Sequence, residues 1–495
     1  MPTTRLPTAL YRADQVRELD RLAIEVHGIP GATLMERAGA AAFRVLRARW
    51  PESRRLGVLC GSGNNGGDGY VVARLAREAG LEVTAWQVGN GPRAGGDADA
   101  ALARLRAAGV EPVGFEAGAP VDCDLLVDGL LGTGLDGPVE GVWAAAIDAL
   151  NDSGRPVLAL DIPSGLHADT GAVLGRAVAA RVTVTFIGLK QGLVTGAGPG
   201  RCGRLVYDDL GVPAAVPAAL GPSARLLDAD DHAAWLAPRP RTAHKGDFGH
   251  LLVVGGAPGM AGAARMAAEA ALRAGAGLVS LATHPEHAAL VAQARPEIMA
   301  HGVDGVAALA PLLERATVVA AGPGLGRSAW AWALLEAVLD SGRPLLLDAD
   351  ALGLLVEAPR ERSDWVLTPH PGEAARLLGR EAAAVQADRF AAAAALQARY
   401  GGVLVLKGAG TLVQGPAETP GVCPAGNPGM ASGGMGDVLG GIIGALLAQG
   451  IPARVAAELG VCLHARAADA AAAAGGERGL LATDLLPHLR RRVNP

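Results

Sequence analysis

The sequence predicts an α/β protein of two domains, the first built on a doubly wound parallel sheet. Three observations lead there. The chain has 495 residues, too many for one ordinary core. In both halves short apolar runs alternate with amphipathic helical segments, the βα rhythm of parallel strands. Between the two series, residues 210–223 carry three prolines and no charge, which reads as a connection between domains. The expected division is 1–212, a linker over 213–224, and 225–495.

Taken in order, Val16, Leu19, Leu22, Ala23 and Val26 recur at helical spacing until Gly28 and Pro30 stop the helix. A second helix is expected over 34–49. Strands are expected at 56–60, 81–87, 124–128, 156–161 and 181–187, with helices in most of the gaps, among them 70–79. In the second half strands are expected at 251–255, 278–283, 317–321, 344–348, 365–368 and 403–407. The alanine runs at 391–395 and 470–474 read as helix interiors, where alanine loses least. The halves show no sequence repeat.

Half the residues are apolar, 19% are charged and the net charge is −5, which fits a folded protein and argues against general nucleic-acid binding. Residues 1–10 hold no apolar signal segment. The most apolar stretch, 438–447, is too short to span a bilayer, so no membrane partner is expected. The five cysteines (60, 123, 202, 423 and 462) lie far apart without CxxC spacing and read as reduced thiols of a cytoplasmic enzyme.

Two glycine-rich segments carry the chemistry. One is Gly61-Ser62-Gly63-Asn64-Asn65-Gly66-Gly67-Asp68-Gly69, and the other is Gly433-Gly434-Met435-Gly436-Asp437. Each reads as a backbone N–H cradle for an anion at the mouth of a helix, with an aspartate beside it. Two such sites suggest two chemistries acting on one phosphate-bearing substrate. The first segment matches the dinucleotide fingerprint formally. The strand that should end in a ribose-binding acid instead ends Trp86-Gln87-Val88-Gly89, so hydride transfer is not indicated. The asparagines tolerate left-handed backbone and offer both donors and acceptors, which suits a specific polar ligand. Three more polar clusters follow strand ends: Asp128 with 130–135, Asp161 with Ile162-Pro163-Ser164-Gly165, and Gly188-Leu189-Lys190. In an open parallel sheet such clusters converge outside the carboxyl ends.

With Gln15-Val16-Arg17-Glu18-Leu19-Asp20 and Gly28-Ile29-Pro30-Gly31, these segments resemble the NAD(P)H-hydrate epimerase family over about residues 10–210. The resemblance implies a Rossmann-like domain. Asn64, Asn65, Gly66, Gly67, Asp68, Gly132, Thr133, Gly134, Leu135, Asp136, Gly137, Pro138 and Asp161 would bind the hydrated dinucleotide. It also implies a potassium ion at Asn65, Asp128 and Ser164, an oxygen-only set that suits a hard cation. Inversion at C6 of the hydrated ring needs proton transfers, and Asp161 and Lys190 are the candidates for them.

The second glycine segment precedes an apolar helical run. An aspartate there is ordinarily an N-cap. The G-x-G-D arrangement nevertheless resembles the ribokinase-like superfamily, in which the aspartate deprotonates a phosphoryl acceptor. His244-Lys245-Gly246-Asp247-Phe248-Gly249-His250, Gly322-Pro323-Gly324-Leu325-Gly326, Thr368-Pro369-His370-Pro371-Gly372-Glu373 and Asn427-Pro428-Gly429-Met430 narrow it. With Lys407-Gly408-Ala409-Gly410-Thr411, they resemble the nucleotide-dependent NAD(P)H-hydrate dehydratases over about 225–490. That resemblance assigns Lys407, Gly408, Ala409, Gly410, Thr411 and Gly436 to ADP or ATP. It assigns Ala263, Gly324, His370 and Asp437 to the hydrated substrate, and Asp437 to catalysis. Mg²⁺ is expected with the nucleotide. The expected partners are hydrated NADH or NADPH and an adenine nucleotide, in a homo-oligomer. The competing reading is a ribokinase-type vitamin-precursor kinase fused to a non-catalytic Rossmann-like binding domain.

Overall fold

The computed structural model describes residues 6–118 and 121–494. The chain forms two compact units that meet in sequence between Arg225 and Leu226.

The first unit is built on seven parallel strands. Their order is Val113–Gly114, Glu82–Gln87, Arg55–Cys60, Leu125–Gly129, Val157–Leu160, Val182–Phe186 and Arg204–Asp208. Central strands such as Leu125–Gly129 are buried along their whole length, because helices cover both faces. Helices Gly31–Arg49, Asn64–Glu78 and Asp97–Ala107 pack on one face, where Leu56, Val58, Val127 and Val184 join their core. Helix Gly141–Asp152 packs on the other, with Leu59, Leu126 and Val157. From Arg55–Cys60 the chain steps outward to one edge, then returns to Leu125–Gly129 and fills the other side. The carboxyl ends of those two strands therefore form the topological switch point, where α/β sheets bind ligands.

The expected strands are all present, shifted by a residue or so at their ends. The short pieces Ala9–Tyr11, Val113–Gly114 and Leu189–Lys190 and the edge strand Arg204–Asp208 are additional. Residues 213–224 include a single helical turn, Ala215–Ala218, whose Val216 is buried in the first unit's core.

One difference bears on the site. The glycine-rich segment reads as a loop up to residue 69, but the helix begins at Asn64. Glycine disfavours a helix by roughly 1 kcal/mol relative to alanine, so propensity points to a loop. Packing decides otherwise. A Cβ at Gly66 would overlap the Gly61 carbonyl, and one at Gly67 would lie 2.6 Å from the Met35 sulfur. The helix sits against the switch point because these side chains are missing. Gly66→Ala is therefore expected to destabilise the first unit by about 1–3 kcal/mol despite alanine's better propensity. An unchanged or raised Tm on thermal unfolding would contradict this.

In the second unit, seven parallel strands run in the order Met299–Gly302, Leu278–Thr283, His250–Val254, Val318–Ala321, Leu345–Leu347, Trp365–Leu367 and Val403–Leu406. Thr411–Gln414 and Gly421–Cys423 extend them antiparallel. Helices Ala261–Arg273, Met435–Ala448 and Ala453–Gly475 share one core with the sheet. The alanine runs fall inside Arg389–Tyr400 and Ala453–Gly475. The switch point lies beyond His250–Val254 and Val318–Ala321. No helix among the described residues is long and apolar enough to cross a membrane.

Candidate functional site

In the first unit many of the predicted residues line one cavity at the switch point, though Gly137 and Pro138 do not; in the second they lie along the carboxyl ends of several strands. In the first, a cavity of about 540 Å³ is lined by Asn64, Asn65, Asp68, Gly132, Thr133, Gly134, Leu135, Asp136, Asp161 and Lys190, among others. Gly66 and Gly67 face inward and shape the helix instead, while Asp128 and Ser164 are fully buried.

Asp161 follows strand Val157–Leu160 with left-handed backbone, φ 63°, a conformation aspartate tolerates better than most side chains. Its amide is held by the Val184 carbonyl at 2.7 Å. Its carboxylate is paired with the Lys190 ammonium, whose side chain is 1% exposed. Lys190 also donates to Thr185 Oγ1 and to the Phe186 carbonyl, each at 3.1 Å. Together with Asp161, these acceptors take all three of its N–H bonds.

Asp128 lies at the end of strand Leu125–Gly129. It accepts the Ser164 hydroxyl at 2.6 Å, the Ser164 amide at 2.8 Å and the Leu130 amide at 3.2 Å. Burial pushes its carboxyl up to about 6 against those hydrogen bonds. Asn65 donates to the Leu131 carbonyl at 3.1 Å, and its Oδ1 is buried without a hydrogen-bond partner. An orphaned oxygen beside a buried carboxylate and a serine fits a hard cation.

Sequence reasoning quoted Asp20 only as part of a motif. It lines the same cavity, and burial raises its carboxyl to about 6, with Lys190 opposing and Asp161 adding to the rise. Asp68 is raised well above the usual carboxylate range, by burial first and then by Asp161 and Asp20.

In the second unit, helix Met435–Ala448 is capped by Gly434 at φ 90°, so Asp437 lies within the first turn and is not the N-cap. Its carboxyl is raised to about 7 by burial and by Asp348, with Asp350 adding and Lys407 opposing. Lys407, at the end of strand Val403–Leu406, donates to Asp348 at 2.6 Å and lies 3.7 Å from Glu373. Burial would lower the Lys407 ammonium, but Asp348, Glu373 and Asp437 outweigh it and raise it. A Cβ at Gly436 would stand 3.3 Å from Lys407 Nζ, so the glycine keeps the ion pair open to the helix mouth.

His370 caps helix Pro371–Leu378: its Nδ1 accepts the Gly372 and Glu373 amides at 3.0 and 3.3 Å. The proton of the neutral ring is thereby assigned to Nε2. Burial, Lys407 and Arg376 keep the ring below the usual histidine range. Gly324 (φ 57°) lies beside Ala263, 3.3 Å from the Ala263 methyl to a Cβ built there. The Gly408–Gly410 turn is held from behind by buried Arg389, which donates to the carbonyls of Leu406, Lys407 and Gly410 at 3.1–3.4 Å.

Asp348 and Arg389 escaped sequence reasoning, and Glu373 was quoted only as part of a motif. Asp348 carried a usable signal, since it closes a strand just as Asp128 and Asp161 do.

Two family models match. Residues 251–491 match the family described as NAD(P)H-hydrate dehydratase, and residues 31–192 match the YjeF-related protein N-terminus. The chain is 53% identical over 488 residues to a bifunctional NAD(P)H-hydrate repair enzyme of Coxiella burnetii, covering 99% of this chain and 100% of that one. It is 48% identical over 495 residues to the enzyme of the same description from Escherichia coli, covering 99% and 95%. Among solved structures, a ribokinase-like superfamily protein of Enterococcus faecalis aligns at 30% identity with a TM-score of 0.51, over 56% of this chain and 99% of that one.

Proposed function

This chain belongs to the bifunctional NAD(P)H-hydrate repair enzymes, and from that premise we propose how its two units divide the work. The first (1–212, with 213–224 as linker) interconverts the R and S forms of hydrated NAD(P)H. The second (225–495) returns the S form to NAD(P)H at the expense of ADP or ATP. One observation carries this reading: at the carboxyl end of its sheet each unit pairs a lysine, fully buried in the first and largely buried in the second, with a carboxylate and sets a further carboxyl of raised proton affinity beside them. Proton transfer can therefore be served at both places.

In the first unit, Asn64, Asn65, Asp68 and the 132–138 turn hold the dinucleotide, and Asp161 exchanges protons at the C6 oxygen. Lys190, its N–H bonds all taken, works through Asp161 by holding its carboxylate in place. Asn65, Asp128 and Ser164 would hold potassium, which when bound offsets the buried charge of Asp128 and steadies the 130–138 segment.

In the second unit, Asp437 takes the proton of the C6 hydroxyl as that oxygen attacks the terminal phosphoryl, breaking its bond to the bridging oxygen and releasing AMP from ADP or ADP from ATP. The C6–O bond then breaks with phosphate as leaving group, a far better one than hydroxide, and loss of a ring proton restores the dihydronicotinamide. The amides at the mouth of helix Met435–Ala448 stabilise the phosphoryl oxygens. Lys407 and the 408–411 turn seat the nucleotide, and His370, Ala263 and Gly324 seat the hydrate. Mg²⁺ would be carried by the nucleotide phosphates, where it would offset their charge. Among the described residues no cluster of three or more His, Cys, Asp or Glu offers it a cage of its own.

The kinase alternative is not favoured, because relatives spanning both units are described as repair enzymes. The five described cysteines are free and buried, which supports a cytoplasmic setting. Incubation with chemically hydrated NADH and ADP or ATP is the test. Nucleotide cleaved should equal dihydronicotinamide restored, read by absorbance. Turnover without nucleotide, or a product that keeps its phosphate, would overturn the assignment.

A further inference from the structure

Inverting C6 by loss and return of its oxygen needs two proton sites, one to protonate the departing hydroxyl and one to receive a proton from the arriving water. Asp161 supplies one. Lys190 is not the other, because its ammonium is fully committed to Asp161, Thr185 and Phe186.

Two more carboxyls open into the same cavity from separate elements: Asp20 from helix Ala13–Arg21 and Asp68 from the first turns of helix Asn64–Glu78. Neither accepts a side-chain hydrogen bond among the described residues. Both are partly buried, Asp161 raises both, and Asp20 also raises Asp68. Three carboxyls thus face a single ammonium. Arg17, Asp97 and Asp136 are the other charged groups lining the cavity, and they leave the excess negative. Such a cluster retains a proton, as closely spaced carboxyls do.

We propose that Asp20 and Asp68 form the second acid–base group of this pocket, a carboxyl pair that holds one proton and exchanges it with the C6 oxygen on the ring face that Asp161 does not serve. This rests on the epimerase assignment of the first unit. The pair gives its proton to the C6 hydroxyl, and the C6–O bond breaks with its electrons leaving as water. The positive charge left behind is shared by C6 and the ring nitrogen. Water adds from the opposite face, forming a new C6–O bond, and its surplus proton passes to Asp161. The reverse direction exchanges the two roles.

The test uses the full chain and reads R-to-S conversion, with nucleotide-driven dehydration of pure S hydrate by the second unit as the internal control. Asp20→Asn and Asp68→Asn should each slow conversion by about 100-fold or more with the control unchanged, and Asp20→Glu should recover part of the loss. The pair must be protonated to act as acid, so the wild-type rate should fall as pH rises through its titration. In Asp20→Asn that limb should move to lower pH, because Asp68 no longer faces its neighbour's charge, a shift that mere structural damage does not produce. In isotopically labelled water the wild type should place one solvent oxygen at C6 per inversion. Both variants converting at the wild-type rate with an unmoved limb would overturn the proposal, as would inversion without solvent oxygen. A wild type that does not interconvert R and S at all would instead remove the epimerase assignment, and the proposal with it.

Discussion

Asp437→Asn is expected to lower the dehydration rate by about 10²–10⁴-fold and leave R-to-S conversion untouched. The residue sits in the first turn of helix Met435–Ala448, where it is not spent on capping. Its carboxyl is raised to about 7, chiefly by burial and by Asp348. A base must be ionised to take a proton, so the wild-type rate should climb as pH rises through about 7 and level off above it. Stability should run the other way. An unfolded aspartate ionises near 4, so between that pH and about 7 the folded chain binds the extra proton. Stability is therefore lost as pH rises through this window, and above it the folded state carries a buried charge. Asparagine removes that burden. The variant should be inactive yet at least as stable as wild type at pH 8, by thermal unfolding. A variant that loses activity and Tm together would point to a structural role for Asp437.

The second large effect is on the first unit. Asp161→Ala should abolish epimerisation and cost up to about 3–5 kcal/mol of stability, because it takes from a buried ammonium the carboxylate hydrogen-bonded to it and leaves only the more distant charges of Asp20 and Asp68. Lys190 would keep only the Thr185 hydroxyl and the Phe186 carbonyl. Alanine also fits the left-handed backbone at this position less well than aspartate does. Adding Lys190→Met to Asp161→Ala should restore much of the lost stability and none of the activity, since a neutral chain of similar length needs no partner. Thermal unfolding paired with R-to-S assays of the three proteins decides it. Wild-type epimerisation by Asp161→Ala would sink the assignment.

Much of the fold was legible because central parallel strands are buried on both faces and so read as unbroken apolar runs. Val157–Leu160 and Val403–Leu406 are of that kind. Edge pieces were not legible. Val113–Gly114 is exposed, and Met299–Gly302 places His301 and a glycine where a buried strand would carry aliphatics. The start of the glycine-rich helix was hidden because local propensity and tertiary packing disagree there, and packing wins. At the sites, residues close in sequence were readable as groups: Asn64, Asn65 and Asp68, the 132–136 turn and Lys190 come to one cavity. What periodicity cannot disclose is which acids from distant elements share a space. Asp348 meets Lys407 across 59 positions, and Asp20 and Asp68 line one cavity from two different helices.

The two units each carry a core of their own on one continuous polypeptide. A single round of translation thus delivers both activities in a fixed one-to-one ratio. Expression alone cannot starve one step relative to the other, so any adjustment of flux between stereoisomer exchange and recovery of the coenzyme has to come from ligands acting on the finished enzyme.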